Sequence, residues 1–346
     1  MSDHTLDRVA IGRWLAIWAG SLFLLVLIGG GTRLTESGLS ITEWKPISGV
    51  VPPFTEAAWT AEFEKYKQIP QYARLNVGMT LGDFKGIFWW EFLHRFAARF
   101  IGGLFVIPFF WFALRKRIPR DLLPRLATLG VLMGLQGAMG WYMVASGLTE
   151  RVNVSQYRLA AHLSLALVIY LLTVWTADSL IHNRGSTVAS SRQSEEARAR
   201  GWLGALFGLA FATVISGAFV AGLRAGKIYN EFPMMGAGFV PAEYSSITPW
   251  WKNLFENAAA AQFDHRVLAI VTLFAVLAGW FRLRANASPA LRMRMHLVLG
   301  AVGLQVALGI TVLLLGVPVL VGVAHQAGAL LVLTALTLAL RQAQTA

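Results

Sequence analysis

Four histidines occur in a pattern that could bind a metal-containing cofactor. His94 and His265 lie in the similar segments Phe92-Leu93-His94-Arg95 and Phe263-Asp264-His265-Arg266, and His162 and His325 both follow an alanine at a similar separation along the chain. One histidine in a helical protein is usually a hydrogen-bonded core residue, but four with matched spacing indicate two pairs of ligands. The remaining histidines have no such match and are expected to be solvated or interfacial. They are His4, His182 and His296.

Two imidazoles that face each other inside a helical bundle are typical of six-coordinate haem iron. The chain has no cysteine, which excludes disulfides, thiolate metal sites, iron-sulfur clusters and catalytic thiols. Zinc or a di-metal centre fits less well, because those sites need three or four convergent protein ligands. The sequence therefore predicts one haem pocket between His94 and His162 and a second between His265 and His325.

One acidic residue accompanies the first pocket. Glu91 precedes His94 by three residues, which places both on one helical face. The second half carries Asp264 in a different register, so we expect the two sites to have diverged, one for chemistry and one for electron transfer. The alternative is that Glu91 only pairs with Arg95.

Three arginines beside the histidines are expected to neutralise haem propionates at the outer surface, since charges at membrane depth are costly and usually functional. Snorkelling to the membrane interface is the alternative. These arginines are Arg95, Arg99 and Arg266.

The composition requires a membrane to surround the elements that position these residues. Hydrophobic residues make up 56% of the 346 residues and charged residues 14%, with a mean hydropathy of +0.56, whereas a soluble domain has about 25% charged residues. Uncharged stretches run from Trp14 to Thr32, Phe100 to Leu114, Leu126 to Thr149, Leu159 to Ala177, Gly201 to Leu223, Val267 to Phe281 and Met295 to Leu340.

A helix needs about 20 residues to cross a bilayer core. The last stretch is therefore two spans with a turn at Gly316 and Pro318, which gives eight spans in total. The two shortest stretches, which start at Phe100 and Val267, must extend into the charged segments before them. Those segments contain Glu91, His94 and His265.

The basic residues predict the orientation. One side of the membrane carries 16 basic and six acidic residues, a net +10, and the other side carries a net +2. By the positive-inside rule both termini are cytoplasmic, and the haem sites lie near the periplasmic side of a bacterial inner membrane. The net charge of +12 is thus topogenic and not a sign of nucleic-acid binding. The first apolar segment is predicted to be a retained helix.

Short motifs recur in the same order in both halves. Leu135-Gln136 with Gly140 matches Leu304-Gln305 with Gly309, and Pro46 with Gly49 matches Pro233 with Gly236. We therefore predict an all-α polytopic membrane protein with two pseudo-twofold-related four-helix bundles and a parallel repeat. The N-terminal half is residues 1–185, with a long outer loop at 33–90, and the C-terminal half is residues 186–346, with an outer loop at 224–264.

The first outer loop is predicted to contain an amphipathic helix. Trp59, Phe63 and Tyr66 fall on one helical face after Pro53 and Thr55. Such a face suggests a helix that lies on the membrane surface as a lid, although aromatic interface residues without a lid role are an alternative.

Several motifs along the chain match those of a known family. They are Gly30-Gly31-Thr32-Arg33-Leu34-Thr35-Glu36-Ser37-Gly38-Leu39-Ser40, Trp44-Lys45-Pro46, Gly49, Pro52-Pro53, Glu91-Phe92-Leu93-His94-Arg95, Gln136-Gly137, Ala161-His162, Asp264-His265-Arg266 and His325-Gln326. With these motifs the sequence resembles the haem A synthase family, most closely its alphaproteobacterial and mitochondrial branch. The resemblance covers nearly the whole chain.

This resemblance implies an oxidoreductase that converts the C8 methyl of haem O to the formyl group of haem A. It implies that His94 and His162 face substrate haem O, and that His265 and His325 are the axial ligands of a permanent haem b. Glu91 matches the acidic residue of the family and is expected to accept a proton or stabilise a carbocation-like intermediate. Some relatives carry paired cysteines in the outer loops, and this chain has none.

The implied partners are a haem O synthase that supplies substrate and cytochrome oxidase assembly factors that take product, while the oligomeric state stays open. Two other functions are weighed against this one. A dihaem b-type electron-transfer protein, such as a quinol-linked cytochrome, would have two equivalent sites, which the single Glu91 disfavours. A transporter would carry charges at the membrane midplane, which is apolar here.

Overall fold

The computed structural model describes residues 3–45, 48–148, 154–182 and 193–345. Pro46, Thr149 and the side chain of His4, which were part of the sequence predictions, lie outside the described residues. Within the described ranges the regular structure is helical, apart from an isolated bridge between Met235 and Gly238. The helices are α1 Asp3–Leu34, α2 Glu56–Lys67, α3 Pro70–Leu75, α4 Leu81–Leu114, α5 Leu123–Ala145, α6 Gln156–Ile181, α7 Gln193–Gly222, α8 Asn253–Glu256, α9 Ala258–Leu283, α10 Pro289–Leu314 and α11 Val319–Thr345.

Several of these helices are long and apolar enough to cross a membrane, so the chain is a multi-pass membrane protein. Among the described residues seven segments qualify, namely Leu6–Leu34, Leu81–Leu114, Gln156–Ile181, Ala197–Gly222, Ala258–Leu283, Pro289–Leu314 and Val319–Gln344. Helix α5, at the position of the predicted third span, has 23 residues but is not among the seven. An eighth span at this place stays a prediction.

The two short apolar stretches do extend into the charged segments before them. Helix α4 begins at Leu81, where Thr80 and Asp83 form a reciprocal capping box. Helix α9 begins at Ala258, and the Asn257 side chain accepts hydrogen bonds from the first backbone N–H groups. Both helices therefore include their histidine well inside regular helix.

The chain folds into two compact units. One comprises residues 20–169, and the other comprises residues 1–19 together with 170–346. In the second unit α7, α9, α10 and α11 pack in a ring, each against two of the others. The predicted boundary at residue 185 and the pair of symmetric bundles stay predictions.

The first outer loop contains the predicted helix, but its apolar face is covered by protein. Thr55 caps α2, and Trp59, Phe63 and Tyr66 are buried. Phe63 stacks on Phe84 of α4 with ring centroids 5.0 Å apart, and Trp59 meets Phe88 edge to face at 4.9 Å. The apolar face therefore packs on the aromatic N-terminal part of α4 and does not contact lipid. A position of this helix at the membrane surface and its role as a lid stay predictions.

Candidate functional site

The first histidine pair lies in the unit of residues 20–169. His94 on α4 packs against Gly29 of α1, and His162 on α6 packs against Gly140 of α5. A methyl group added at Gly29 would lie 3.0 Å from Cε1 of His94, and one at Gly140 would lie 3.2 Å from Cε1 of His162. Each imidazole edge thus reaches the backbone of a neighbouring helix at a point where only glycine leaves enough room.

The second pair repeats this arrangement in the other unit. A methyl at Gly217 of α7 would lie 3.0 Å from Cε1 of His265, and one at Gly309 of α10 would lie 2.9 Å from Cε1 of His325. The ring centroids of His265 and His325 are 6.4 Å apart, with the ring planes at 88°. All four histidines are half-buried residues.

Two of these four glycines were missed by sequence reasoning. Gly140 and Gly309 were part of the repeat, but Gly29 and Gly217 were not. The match between Gly49 and Gly236 could have located them. Each of these two glycines follows the first helix of its half, so their separation along the chain aligns the two helices to within one residue.

A glutamine accompanies the second histidine of each pair. The amide nitrogen of Gln136 lies 3.2 Å from Nε2 of His162 and also donates to the His162 carbonyl at 3.1 Å. The amide nitrogen of Gln305 lies 3.4 Å from Nε2 of His325. The two glutamines therefore hold equivalent places in the two pockets.

The hydrogen bonding of the ring nitrogens differs between the pockets. Ser216 of α7 places its Oγ 2.8 Å from Nδ1 of His265. The Nδ1 atoms of His94 and His325 are buried and have no hydrogen-bond partner among the described residues. His265 therefore has a fixed ring orientation that His94 lacks.

Glu91 is 2% exposed and is held by three hydrogen bonds. Its Oε2 accepts from the Ser40 hydroxyl at 2.7 Å and from the Ile41 backbone N–H at 2.8 Å, and its Oε1 accepts from Arg95 at 2.5 Å. The ion pair with Arg95 that was weighed as an alternative is present. Glu91 thus joins the turn after α1 to the helix that carries His94.

The counterpart of Glu91 in the second unit is Gln262, which sequence reasoning missed. Gln262 precedes His265 by three residues, as Glu91 precedes His94. It is buried, and its amide donates to the Tyr229 carbonyl at 2.9 Å. Asp264 instead accepts a hydrogen bond from the Tyr244 hydroxyl at 2.9 Å. The equivalent position therefore carries a negative charge in one pocket and a neutral amide in the other.

The arginine after the first histidine of each pair binds backbone carbonyls of the adjoining outer segment. Arg95 donates to the Ile41 carbonyl at 2.8 Å and to the Glu43 carbonyl at 3.1 Å. Arg266 donates at 3.0 Å to each of the carbonyls of Tyr229 and Glu231, which hold the equivalent places after the first helix of the second half. These two guanidinium groups hold the outer segments, and their contact with propionates stays a prediction.

Arg99 has a similar environment. Its Nη2 donates to the Lys45 carbonyl at 2.9 Å, and it lies beside Gly49. The structure thus brings Glu91, Arg95 and Arg99 together with one outer segment.

The residues present fit haem better than a bare metal ion. No group of three or more His, Asp or Glu side chains that could hold a metal is found in the part of the chain that the structure describes. Two imidazoles that share an iron, with metal–nitrogen bonds of about 2.0 Å, have ring centroids about 6 Å apart, close to the spacing of His265 and His325. A porphyrin would supply the remaining four ligands.

The chain is similar to proteins of one family over nearly its whole length. A family model named COX15-CtaA and described as cytochrome oxidase assembly protein matches residues 12–337. A protein named heme A synthase from Nitrosomonas eutropha is 46% identical over 96% of this chain and 93% of its own. A protein of that name from Rhodospirillum centenum is 49% identical over 94% of this chain and 86% of its own. Another, from Caulobacter sp. strain K31, is 45% identical over 96% of this chain and 95% of its own. The matched range includes all four histidines and Glu91.

Proposed function

This chain belongs to the COX15-CtaA family of cytochrome oxidase assembly proteins, and from that premise we propose that it is an oxidoreductase that converts haem O to haem A. The resemblance noted in the sequence motifs is confirmed by the family match and by relatives named heme A synthase. The structural observation that carries the proposal is the presence of two glycine-cradled imidazole pairs, with an acid beside one pair only.

We assign the substrate to the first pocket. His94 and His162 face haem O, and Glu91 lies one helical turn from His94 on the same face. His265 and His325 are the axial ligands of haem b in the second pocket, where Gln262 replaces the acid. Arg95, Arg99 and Arg266 lie on the helical turns beside these rings and can provide positive charge for the propionates as well as hold the outer segments.

The reaction converts a methyl group to an aldehyde. In each of two successive hydroxylations a hydroxyl group taken from water replaces a hydrogen of the methyl group, and two electrons and two protons leave. The product is a geminal diol, and loss of water from the diol leaves the formyl group. Haem b, when bound, supplies a redox centre that accepts the electrons removed from the substrate. The protein's own residues bind the macrocycle in a fixed orientation and keep water away from the remainder of the pocket.

Glu91 is suited to stabilise positive charge or to accept a proton beside the reacting methyl. Its three hydrogen bonds hold the carboxylate in one orientation, so no reorganisation is needed when charge develops nearby. Ser40 and Ile41 provide two of those bonds, so the turn after α1 is part of the site. The neutral Gln262 in the second pocket supports a role of this charge in the chemistry of the first.

The cellular setting follows from the same proposal. We place the protein in a bacterial inner membrane with both termini in the cytoplasm and both haem sites near the periplasmic side. A haem O synthase supplies the substrate, and cytochrome oxidase assembly factors receive the product. The family name, cytochrome oxidase assembly protein, supports this place in assembly.

The proposal is tested by identifying the haems that the purified full chain contains after expression in membranes that make haem O. We expect haem b together with haem O or haem A, identified by mass spectrometry of the extracted haems and by the optical spectrum. Expression without the haem O supply should leave haem b alone. Two haems b per chain with haem O available would favour the dihaem electron-transfer protein and overturn the assignment.

A further inference from the structure

We infer that Ser216 is a positioning residue that fixes the tautomer of His265 and thereby makes the second pocket the one that retains its haem. This inference rests on the proposed function, because it concerns haem b at His265. It starts from two hydrogen bonds that a single hydroxyl group makes in helix α7.

The Ser216 hydroxyl has one proton, and its neighbours decide where that proton points. Its Oγ lies 2.7 Å from the Thr213 carbonyl oxygen and 2.8 Å from Nδ1 of His265. A carbonyl oxygen can only accept, so the hydroxyl proton goes to Thr213. The contact with His265 is then a hydrogen bond only if Nδ1 carries a proton and donates it to Oγ. The Thr213 backbone also interacts with the His265 ring, and since its carbonyl can only accept, that interaction requires the same ring proton.

This assignment leaves Nε2 of His265 as the nitrogen with a free lone pair. A neutral imidazole has one protonated and one unprotonated nitrogen, and the unprotonated nitrogen is the metal ligand. A hydrogen bond from the other nitrogen fixes the ring orientation and increases the basicity of the ligand. Ser216 therefore prepares His265 to bind iron before the haem arrives.

The first pocket lacks this device although it shares the surrounding geometry. Gly29 and Gly217 approach His94 and His265 equally closely, at 3.0 Å in each case. The residue before the glycine is Ser216 in the second pocket but Ile28 in the first. Isoleucine cannot accept a hydrogen bond, and Nδ1 of His94 has no partner among the described residues.

The difference matches the different tasks of the two haems. A permanent cofactor should have a slow dissociation rate, and a fixed, more basic ligand provides one. A substrate must enter, react and leave as product, and a ring without a fixed tautomer binds less tightly. The contrast is confined to the first histidine of each pair, because Nδ1 of His325 also has no partner among the described residues and Gln136 lies 3.3 Å from Nδ1 of His162. The hydroxyl at position 216 and its absence at position 28 thus distinguish His265 from His94, and we expect this difference to slow the release of haem from the second pocket.

The test compares Ser216→Ala with the wild-type full chain in detergent. Transfer of haem b to an excess of a haem-scavenging apoprotein should be about 10- to 100-fold faster in S216A, the range expected when a ligand loses its hydrogen-bond partner. The haem b midpoint potential should also rise, because a less basic ligand stabilises the ferric state less. A tenfold greater loss of ferric than ferrous affinity corresponds to about 59 mV.

Three further variants keep the result interpretable. Ser216→Thr retains the hydroxyl and should restore both the transfer rate and the potential. Ser179→Ala removes a hydroxyl that donates to its own helix at 2.7 Å in the same way, and it should change neither, because the nearby His182 bonds Asp178 and belongs to neither proposed pocket. Ile28→Ser should slow the release of haem from the first pocket.

Each outcome has a defined reading. An unchanged transfer rate and potential in S216A, with haem b present in the wild type, would overturn the role of Ser216 and leave the proposed function intact. Equal changes in S216A and Ser179→Ala would show a general loss of helix packing and would also overturn it. A wild-type chain without haem b would instead overturn the proposed function.

Discussion

The two histidine pockets share the residues that shape them and differ in the residues that determine their chemistry. Each has two imidazoles packed against glycines, a glutamine beside the second ring, and an arginine that holds the outer segment. The first pocket has Glu91 where the second has Gln262, and Ile28 where the second has Ser216. A few polar differences around matched rings are therefore what would give the two pockets the separate functions proposed for them.

The glycines at the ring contacts are shared by the two pockets, whereas the charged and hydrogen-bonding residues are not. Under the proposed function, glycine at the ring contacts meets a steric requirement that both haem pockets share. Charge and ring hydrogen bonding would depend on the task of each haem, which accounts for the differences between the pockets. Substitutions in both pockets test this division, beginning with the haem ligands.

Removal of a proposed haem b ligand should have the largest effect. We expect His265→Met and His325→Met to lose nearly all haem b, or to shift its optical spectrum, because methionine cannot reproduce the bis-imidazole ligand field. The measurement is the optical spectrum and haem content of the purified variants. His182→Met is the control, since His182 is exposed and bonds Asp178 at 3.0 Å. An unchanged spectrum in either ligand variant would refute the assignment.

Replacement of Glu91 by glutamine makes the first pocket resemble the second at this position. Haem A formation should fall at least about 100-fold, the lower range of what a positioned acid or base contributes. Haem b content should stay at the wild-type level, because Glu91 lies in the other pocket. Extracted haems analysed by mass spectrometry give both quantities.

The reciprocal substitution sharpens this result. In Gln262→Glu a carboxylate would face the Tyr229 carbonyl, to which the amide now donates. We expect lower thermal stability, by about 1–3 kcal/mol for the lost hydrogen bond, and little change in the product formed per folded molecule. For the first of these two substitutions, a wild-type haem A content in Glu91→Gln would show that Glu91 takes no part in the chemistry.

An added methyl group at a ring contact should have an intermediate effect that is equal in the two pockets. Gly140→Ala and Gly309→Ala place Cβ 3.2 Å and 2.9 Å from a histidine ring and should reduce haem occupancy in their own pocket. Gly137→Ala and Gly303→Ala on the same helices have no atom within 4 Å of the added Cβ and serve as controls. The measurement is haem content per chain. If only one pocket responds, the glycine contacts are not a shared requirement.

The smallest effect is expected at the outer surface. Hydrogen bonds from Lys45 and then Lys65 hold the pKa of Glu43 below its usual value of 4.5. Because its folded pKa is depressed, Glu43 contributes stability above about pH 4.5, and this contribution is lost as the pH falls through the folded pKa. Glu43→Gln should therefore destabilise the protein by less than about 1 kcal/mol at pH 7, since these side chains are largely exposed.

Thermal unfolding of the wild type and of Glu43→Gln, at pH 7 and below pH 4, measures the difference in stability between the two proteins. The side chain of the equivalent residue Glu231 instead accepts a hydrogen bond from the Gly236 backbone N–H. We expect high salt to reduce the effect of Glu43→Gln, because ions screen exposed charges. A difference that persists unchanged below pH 4 would contradict the role of the carboxylate charge.

Much of the helical architecture could be predicted because hydropathy and helix length are local properties. The turn at Gly316 and Pro318 is present, and α4 and α9 start within the charged segments as expected. The candidate spans include seven of the predicted eight. Helix α5 is not among them, and it contains several glycines as well as the polar Gln136.

The details of the site depended on contacts that a sequence pattern does not specify. The position of α2 against α4 was missed because an apolar helical face indicates burial but not the surface that buries it. Gln262 and Ser216 were missed because identical residues define the repeat, whereas the informative positions are those where the repeat differs. The histidines and Arg95 could be selected as candidates because both halves keep them.

The hydrogen bonds of Arg95 and Arg266 end on main-chain oxygens and not on side chains. Almost any amino acid can stand at the accepting positions, since every residue offers the same carbonyl group. The number of residues between the first helix and these acceptors, in contrast, cannot change without moving the acceptor out of reach. The outer segments should accordingly tolerate exchange of side chains there but not insertion or deletion of a single residue.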